Sequence, residues 1–183
     1  MSNAVSPLNG KSAEGFARVA EAGLKGMITI RADLASKGLA KALKALGLPV
    51  PALRRIEEGE ARAIAWMSPD ELLLICAYDE AAATAATLAE ALAKEHALVT
   101  NVSDARAMFT VSGAKADEVL MKLSPVDFPK LAAGEMRRTR AAQVAAALWR
   151  SGPEELSLVC FRSVASYMFG LLEVSSRKGG EIS

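Results

Sequence analysis

Histidine, cysteine and aromatic residues are scarce in this chain, and each scarcity removes a class of function. One histidine, His96, stands among 183 residues, so a Ser-His-Asp or Cys-His arrangement has a single candidate base. It follows Lys94-Glu95 at a predicted helix end, where an exposed imidazolium suits the helix dipole, and no catalytic role is assigned to it. The two cysteines, Cys76 and Cys160, each close an apolar run and read as small buried hydrophobes. No C-x-x-C, H-E-x-x-H or Cys/His cluster has metal-binding spacing. Neither G-x-G-x-x-G nor G-x-x-x-x-G-K-[ST] occurs, so a phosphate-cradling loop is lacking too. Catalytic, cofactor-binding and metal-ligating residues are therefore all expected to be none. No run approaches the 18 apolar residues of a membrane span, and the first 25 residues lack the apolar segment of a secretory signal. Two reduced thiols then fit a cytoplasmic protein. Lysine plus arginine number 22 against 21 acids, interspersed, which gives no electrostatic basis for nucleic acid or a membrane surface.

What the chain does contain is a repeat. Trp66-Met67-Ser68-Pro69-Asp70-Glu71-Leu72-Leu73-Leu74-Ile75-Cys76 returns as Trp149-Arg150-Ser151-Gly152-Pro153-Glu154-Glu155-Leu156-Ser157-Leu158-Val159-Cys160, with one inserted glycine as the only change of length. Upstream, the Leu43 to Leu53 stretch is echoed by Leu120 to Leu131 in the same order. Two copies are too few for a solenoid, so the expectation is one compact duplicated domain with a pseudo-twofold axis. Trp66 and Trp149 are equivalent in this alignment and are expected in the core.

Local signals define the unit. Met27–Arg31 reads as a strand, and Asp33 or Ser36 caps a helix whose Leu39, Leu43 and Leu46 form one stripe. Gly47 stops it, and Pro49 and Pro51 forbid continuation. Strands follow near 52–57 and 61–67, then the Ser68-Pro69-Asp70 turn, the strand 71–77 and an alanine-rich helix from Asp79 to about Glu95. The second half repeats this with strands near 97–102 and 107–112, a helix over 114–123, and strands near 136–140, 143–150 and 155–162. A final helix is capped by Ser163. The fold class is thus α+β, a duplicated β-α-β-β-β-α unit with mostly antiparallel sheet and helices on one face. Residues 1–26 are expected as a flexible N-terminal arm with at most a weak helix over 14–24. A single domain is expected over 27–178, with halves at about 27–95 and 97–178.

Three groups of polar residues invite attention. Carboxylates at Glu57, Glu58, Glu60, Asp70, Glu71, Glu154 and Glu155 fall at strand ends and turns, where solvated hairpin tips explain them. Ser112-Gly113 opens a helix, and a cap is the expected role of Ser112. The basic run Arg137, Arg138 and Arg140 lies on a strand, with Arg138 and Arg140 on one face and Arg137 with Thr139 on the other. It reads as a charged sheet edge or as a docking patch for an acidic partner surface.

Taken in order, these motifs resemble the gamma subunit family of heterotetrameric sarcosine oxidase over about residues 27–175. The carriers are Ile30-Arg31-Ala32-Asp33, the Trp66 to Leu74 block, Val102-Ser103-Asp104-Ala105-Arg106 and Val111-Ser112-Gly113-x-x-Ala116. Further on come Leu123-Ser124-Pro125-Val126-Asp127, Arg138-Thr139 and Phe161-Arg162-Ser163-Val164-Ala165. From Ser103 onward the chain also resembles the folate-binding region of glycine cleavage aminomethyltransferases, a duplicated, interlocked β/α fold. The resemblance implies a non-catalytic subunit partnered by alpha, beta and delta subunits. The complex would oxidise sarcosine to glycine and hydrogen peroxide and pass the one-carbon unit to tetrahydrofolate. FAD, FMN, NAD and tetrahydrofolate are then expected on the partners, and none in this chain. A free-standing folate- or one-carbon-binding protein of the same fold is the alternative, and an unrelated homo-oligomeric scaffold a third.

Overall fold

The computed structural model describes residues 4–182. In chain order it holds β1 (Ser12–Glu14), β2 (Arg18–Glu21), β3 (Gly26–Arg31), α1 (Lys37–Ala45), β4 (Ile56–Glu58), β5 (Ala63–Ser68) and β6 (Glu71–Cys76). Next come α2 (Ala81–Ala91), β7 (Leu98–Asn101), β8 (Arg106–Ser112) and α3 (Ala116–Met121). The last elements are β9 (Met136–Ala141), β10 (Val144–Gly152), β11 (Glu155–Phe161) and α4 (Ala165–Ser175). Where one domain was expected, the chain divides into two compact units, Lys25–Ser103 and the remainder.

The unit 25–103 carries a five-stranded antiparallel sheet in the order β4-β5-β6-β3-β7. Alternation puts Ile28, Ile30, Ile64, Leu72, Leu74 and Cys76 on one face, where they cluster with Leu39, Ala42 and Leu43 of α1 and Ala81 and Leu88 of α2. Ser36 caps α1, its hydroxyl accepting from the amides of Gly38 and Leu39 at 3.0 and 3.2 Å. Gly47 ends it at φ +75°, where a side chain would be strained. By contrast α2 begins after Glu80 with no side-chain cap, so the expected Asp79 cap is not made. The strand expected at 52–57 shrinks to 56–58, because Pro49 and Pro51 hold the preceding chain out of the ladder.

The other unit has a six-stranded sheet in the order β1-β2-β8-β11-β10-β9, also antiparallel. Phe109, Val111, Leu148, Leu156, Leu158 and Cys160 pack with Val119 and Leu120 of α3 and Met168, Phe169 and Leu172 of α4. Ser163 does not cap α4 but lies in the 3-10 turn Arg162–Val164 that leads into it. The matched segments ending in Cys76 and Cys160 are both strands, each flanked by the same two neighbours of its repeat.

Register corrects the alignment. Leu74 pairs with Ile64 and Leu72 with Trp66 in one hairpin; Leu158 pairs with Leu148 and Leu156 with Arg150 in the other. Each hairpin has its irregularity at the same place, between Trp66 and Ser68 and between Arg150 and Gly152. Gly152 is therefore no insertion: it matches Ser68, and Arg150 matches Trp66. Trp149 takes the place of Ala65, one position out of step, and so faces the other way from the helix-covered core. It is buried at 2% exposure, while Trp66 is half-buried against its core.

The N-terminal segment departs furthest from expectation. Residues 1–3 of the expected arm lie outside the described residues, but β1 and β2 form a hairpin whose second strand pairs with β8 from Arg18↔Ser112 to Glu21↔Phe109. Ala17 and Val19 are in the core. Val19 stands against Val111 just as Val99 of β7 stands against Ile30. Thus β2 is the repeat partner of β7, the strand expected near 97–102. Each leading strand is hydrogen-bonded in the sheet of the other copy, so the two repeats are interlocked.

Candidate interaction surface

Strand β9 places the three arginines at an edge of the six-stranded sheet, with β10 on one side. Arg137 stands opposite Leu148, on the side of α3 and α4, and there it is ion-paired with Glu135 and donates to the carbonyl of Met136. Arg138 and Arg140 stand opposite Ala147 and Ala145 on the other face, and both are exposed. Arg140 also donates to the Gln143 carbonyl across the hairpin turn, at 2.9 Å. The run is thus split as strand alternation requires: Arg137 lies on the helix side, and Arg138 and Arg140 lie on the opposite face.

The carboxylates do not converge. Asp70 and Glu71 both take the Arg31 guanidinium, each at 3.1 Å, and Glu155 accepts from the Ser151 hydroxyl at 2.9 Å. The Ser68 hydroxyl, followed by Arg31, holds the Asp70 carboxyl below its ordinary range. His96 is exposed and rims a surface pocket of about 610 Å³ with Arg31, Asp33, Asp70 and Leu98. Among the described residues no three His, Cys, Asp or Glu side chains come together as metal ligands would. Ser112 is not a cap: it ends β8, paired to Glu155 and Arg18, and α3 starts after Lys115 without a side-chain cap.

Cys76 and Cys160 are buried free thiols. Burial pushes both upward, that of Cys160 to about 11 despite the opposing charge of Arg106. A neutral, enclosed thiol is a poor nucleophile.

Two features escaped the sequence. Arg150 is a hub: its guanidinium donates to Asp117 at 2.9 and 3.0 Å and to the carbonyls of Leu131 and Phe128 at 2.9 and 3.1 Å. A lone arginine after the apolar run Ala145 to Trp149 was the available signal. Phe161 lines a surface pocket of about 640 Å³ with Arg162 and Ser163, and Arg106 lies over the Phe161 ring, 4.3 Å from its centroid. They are cross-strand partners, so that contact depends on a pairing remote in sequence.

The two antiparallel sheets with exchanged leading strands define a class: a duplicated α+β fold like that of aminomethyltransferase T. Aminomethyltransferase T of the glycine cleavage system from Bartonella henselae matches with a TM-score of 0.70 at 14% identity, over 94% of this chain and 57% of that one. The heterotetrameric sarcosine oxidase from Corynebacterium sp. U-96, solved with pyrrole 2-carboxylate, contains a chain matching with a TM-score of 0.82 at 24% identity, over 90% of this chain and 87% of that one. In sequence, sarcosine oxidase subunit gamma from Corynebacterium sp. (strain P-1) is 32% identical over 147 residues, 78% of this chain and 71% of that protein. Residues 31–178 match the family described as sarcosine oxidase, gamma subunit family, and the chain belongs to it. Among the described residues no helix is long and apolar enough to cross a membrane.

Proposed function

We propose that this chain is the non-catalytic gamma subunit of a heterotetrameric sarcosine oxidase, assembled in the cytoplasm with alpha, beta and delta subunits. The complex oxidises the N-methyl group of sarcosine, releases glycine and hydrogen peroxide, and passes the one-carbon unit to tetrahydrofolate. FAD, FMN, NAD and tetrahydrofolate are held by the partner subunits. The family match over residues 31–178 carries this reading. The dispersal of the polar side chains supports the non-catalytic part: Arg31 is committed to Asp70 and Glu71, Arg150 to Asp117, and Arg137 to Glu135. A group already paired within the fold has little capacity left to act on a substrate.

The test is co-expression with the alpha, beta and delta subunits, followed by size-exclusion chromatography and a peroxide assay with sarcosine. This chain should co-elute with an active oxidase, whereas the isolated chain should produce no peroxide. The likeness to the aminomethyltransferase favours one rival, a free-standing folate-binding protein. Tight binding of tetrahydrofolate by the isolated chain, with no association with the three subunits, would establish that rival instead.

A further inference from the structure

Among the described residues four strands lie at sheet edges, and one differs from the rest. β1 and β4 have three residues each and β7 has four, whereas β9 has six. Short edges are poor templates for another strand, and proline or a bulge spoils longer ones. β9 has neither; its guard is the charge of Arg138 and Arg140, which disfavours all but an acidic strand, and its register against β10 is regular from Met136 to Ala141. The two-residue turn Ala142-Gln143 sets the phase of that ladder, with Ala141 and Val144 as the flanking hydrogen-bonded pair. Alternation then directs the backbone N–H and C=O groups of Met136, Arg138 and Arg140 away from β10. The exposed arginine side chains thus belong to the residues whose backbone groups point outward.

We infer that β9 is extended in the assembled enzyme by an acidic, extended segment of a partner subunit. The segment adds a strand to the sheet, and carboxylates at alternate positions meet Arg138 and Arg140. The spacing fits, because side chains two apart on one strand recur at about 7 Å, the same step that alternate residues of the added strand take. Backbone pairing of this kind supplies affinity, and the side chains in register supply selectivity. A second copy of this chain is a poor occupant, since antiparallel pairing of two β9 strands would set arginine against arginine. The inference rests on the subunit role proposed above and adds the mode of docking.

The experiment uses the four-subunit complex. In the wild type, the amides of Arg138 and Arg140 should exchange hydrogen far more slowly in the complex than in the isolated chain. Arg140→Ser removes one side chain, whereas Arg140→Pro also removes an outward amide, a change that edge strands tolerate. Arg140→Pro should assemble at least about five-fold more weakly than Arg140→Ser, as befits the loss of a backbone hydrogen bond. A wild-type complex whose β9 amides exchange as fast as in the isolated chain would overturn the inference, whether or not the proline variant folds. Equal assembly by folded Arg140→Pro and Arg140→Ser chains would overturn it as well. Failure of the wild-type chain to assemble at all would instead remove the subunit role, and this inference with it.

Discussion

Arg150 shows how a repeat can keep its backbone and change its chemistry. It occupies in β10 the position that Trp66 holds in β5, so one copy fills the space with an indole and the other with a guanidinium bound to Asp117 and two carbonyls. Its side chain is 15% exposed, so removing it leaves a carboxylate and two carbonyls short of a donor. Arg150→Ala should lower the unfolding free energy by roughly 2–4 kcal/mol, read from urea titration. Arg150→Lys should recover only part of this, because an ammonium lacks the planar fork. The thiols make a second prediction. The folded Cys160 thiol titrates at about 11 against an ordinary 9.0, so the folded state holds its proton where the unfolded state has released it. Stability from this group is complete below pH 9 and falls as pH rises from 9 towards 11. Cys160→Ala should flatten that alkaline loss in melts taken across the range. Burial of both thiols was legible in the sequence, since each ends an apolar run. The orientation of the tryptophans was not, because strand pairing sets the register that places Trp149 one position before the equivalent of Trp66.

At the scale of the element, the N-terminal hairpin carries the clearest consequence. A flexible arm would be dispensable, but β2 buries Val19, with Ala17 buried just before it, and supplies a ladder to β8. Further upstream and downstream the segment is fastened as well. The amide of Phe16 donates to the Ser176 carbonyl at 2.8 Å, and a Cβ on Gly15 would lie 1.8 Å from that oxygen. Buried Glu21 accepts from the Ser6 hydroxyl at 2.8 Å and from the Gly10 amide at 2.6 Å. Val19→Asp should therefore cost roughly 4 kcal/mol or more, as an unpaired charge placed in a core does. A thermal melt unchanged from wild type would show that the hairpin is not part of the folded core. The strands at 71–76 and 155–161 were readable because their apolar runs are long and bounded by Pro69-Asp70 and Pro153-Glu154. β2 was not, because four residues in a Ser-, Ala- and Gly-rich setting give too few turns of the alternation to stand out.

At the scale of the whole molecule, a chain that acts by assembly makes a distinct kinetic prediction, resting on the proposed subunit role. Omitting it from co-expression should lower the yield of four-subunit complex, and restoring it should raise peroxide output in proportion to complex formed. The turnover per assembled complex should stay constant across folded surface variants such as Arg138→Ser and Arg140→Ser, which change how much complex exists. A change in turnover at constant assembly would instead place this chain in the chemistry. The sequence by itself determined the α+β class, the duplication, the family resemblance and the central strands, because apolar periodicity and turn residues are local and recur in order. Tertiary structure alone decided that Gly152 is not an insertion, that β2 and β7 are exchanged between the copies, and that Arg150 is a structural hub. Each of these depends on which strand pairs with which and in what register. Pairing between residues as remote as Val19 and Val111 is selected by burial summed over a whole sheet, and no short stretch of sequence carries that sum.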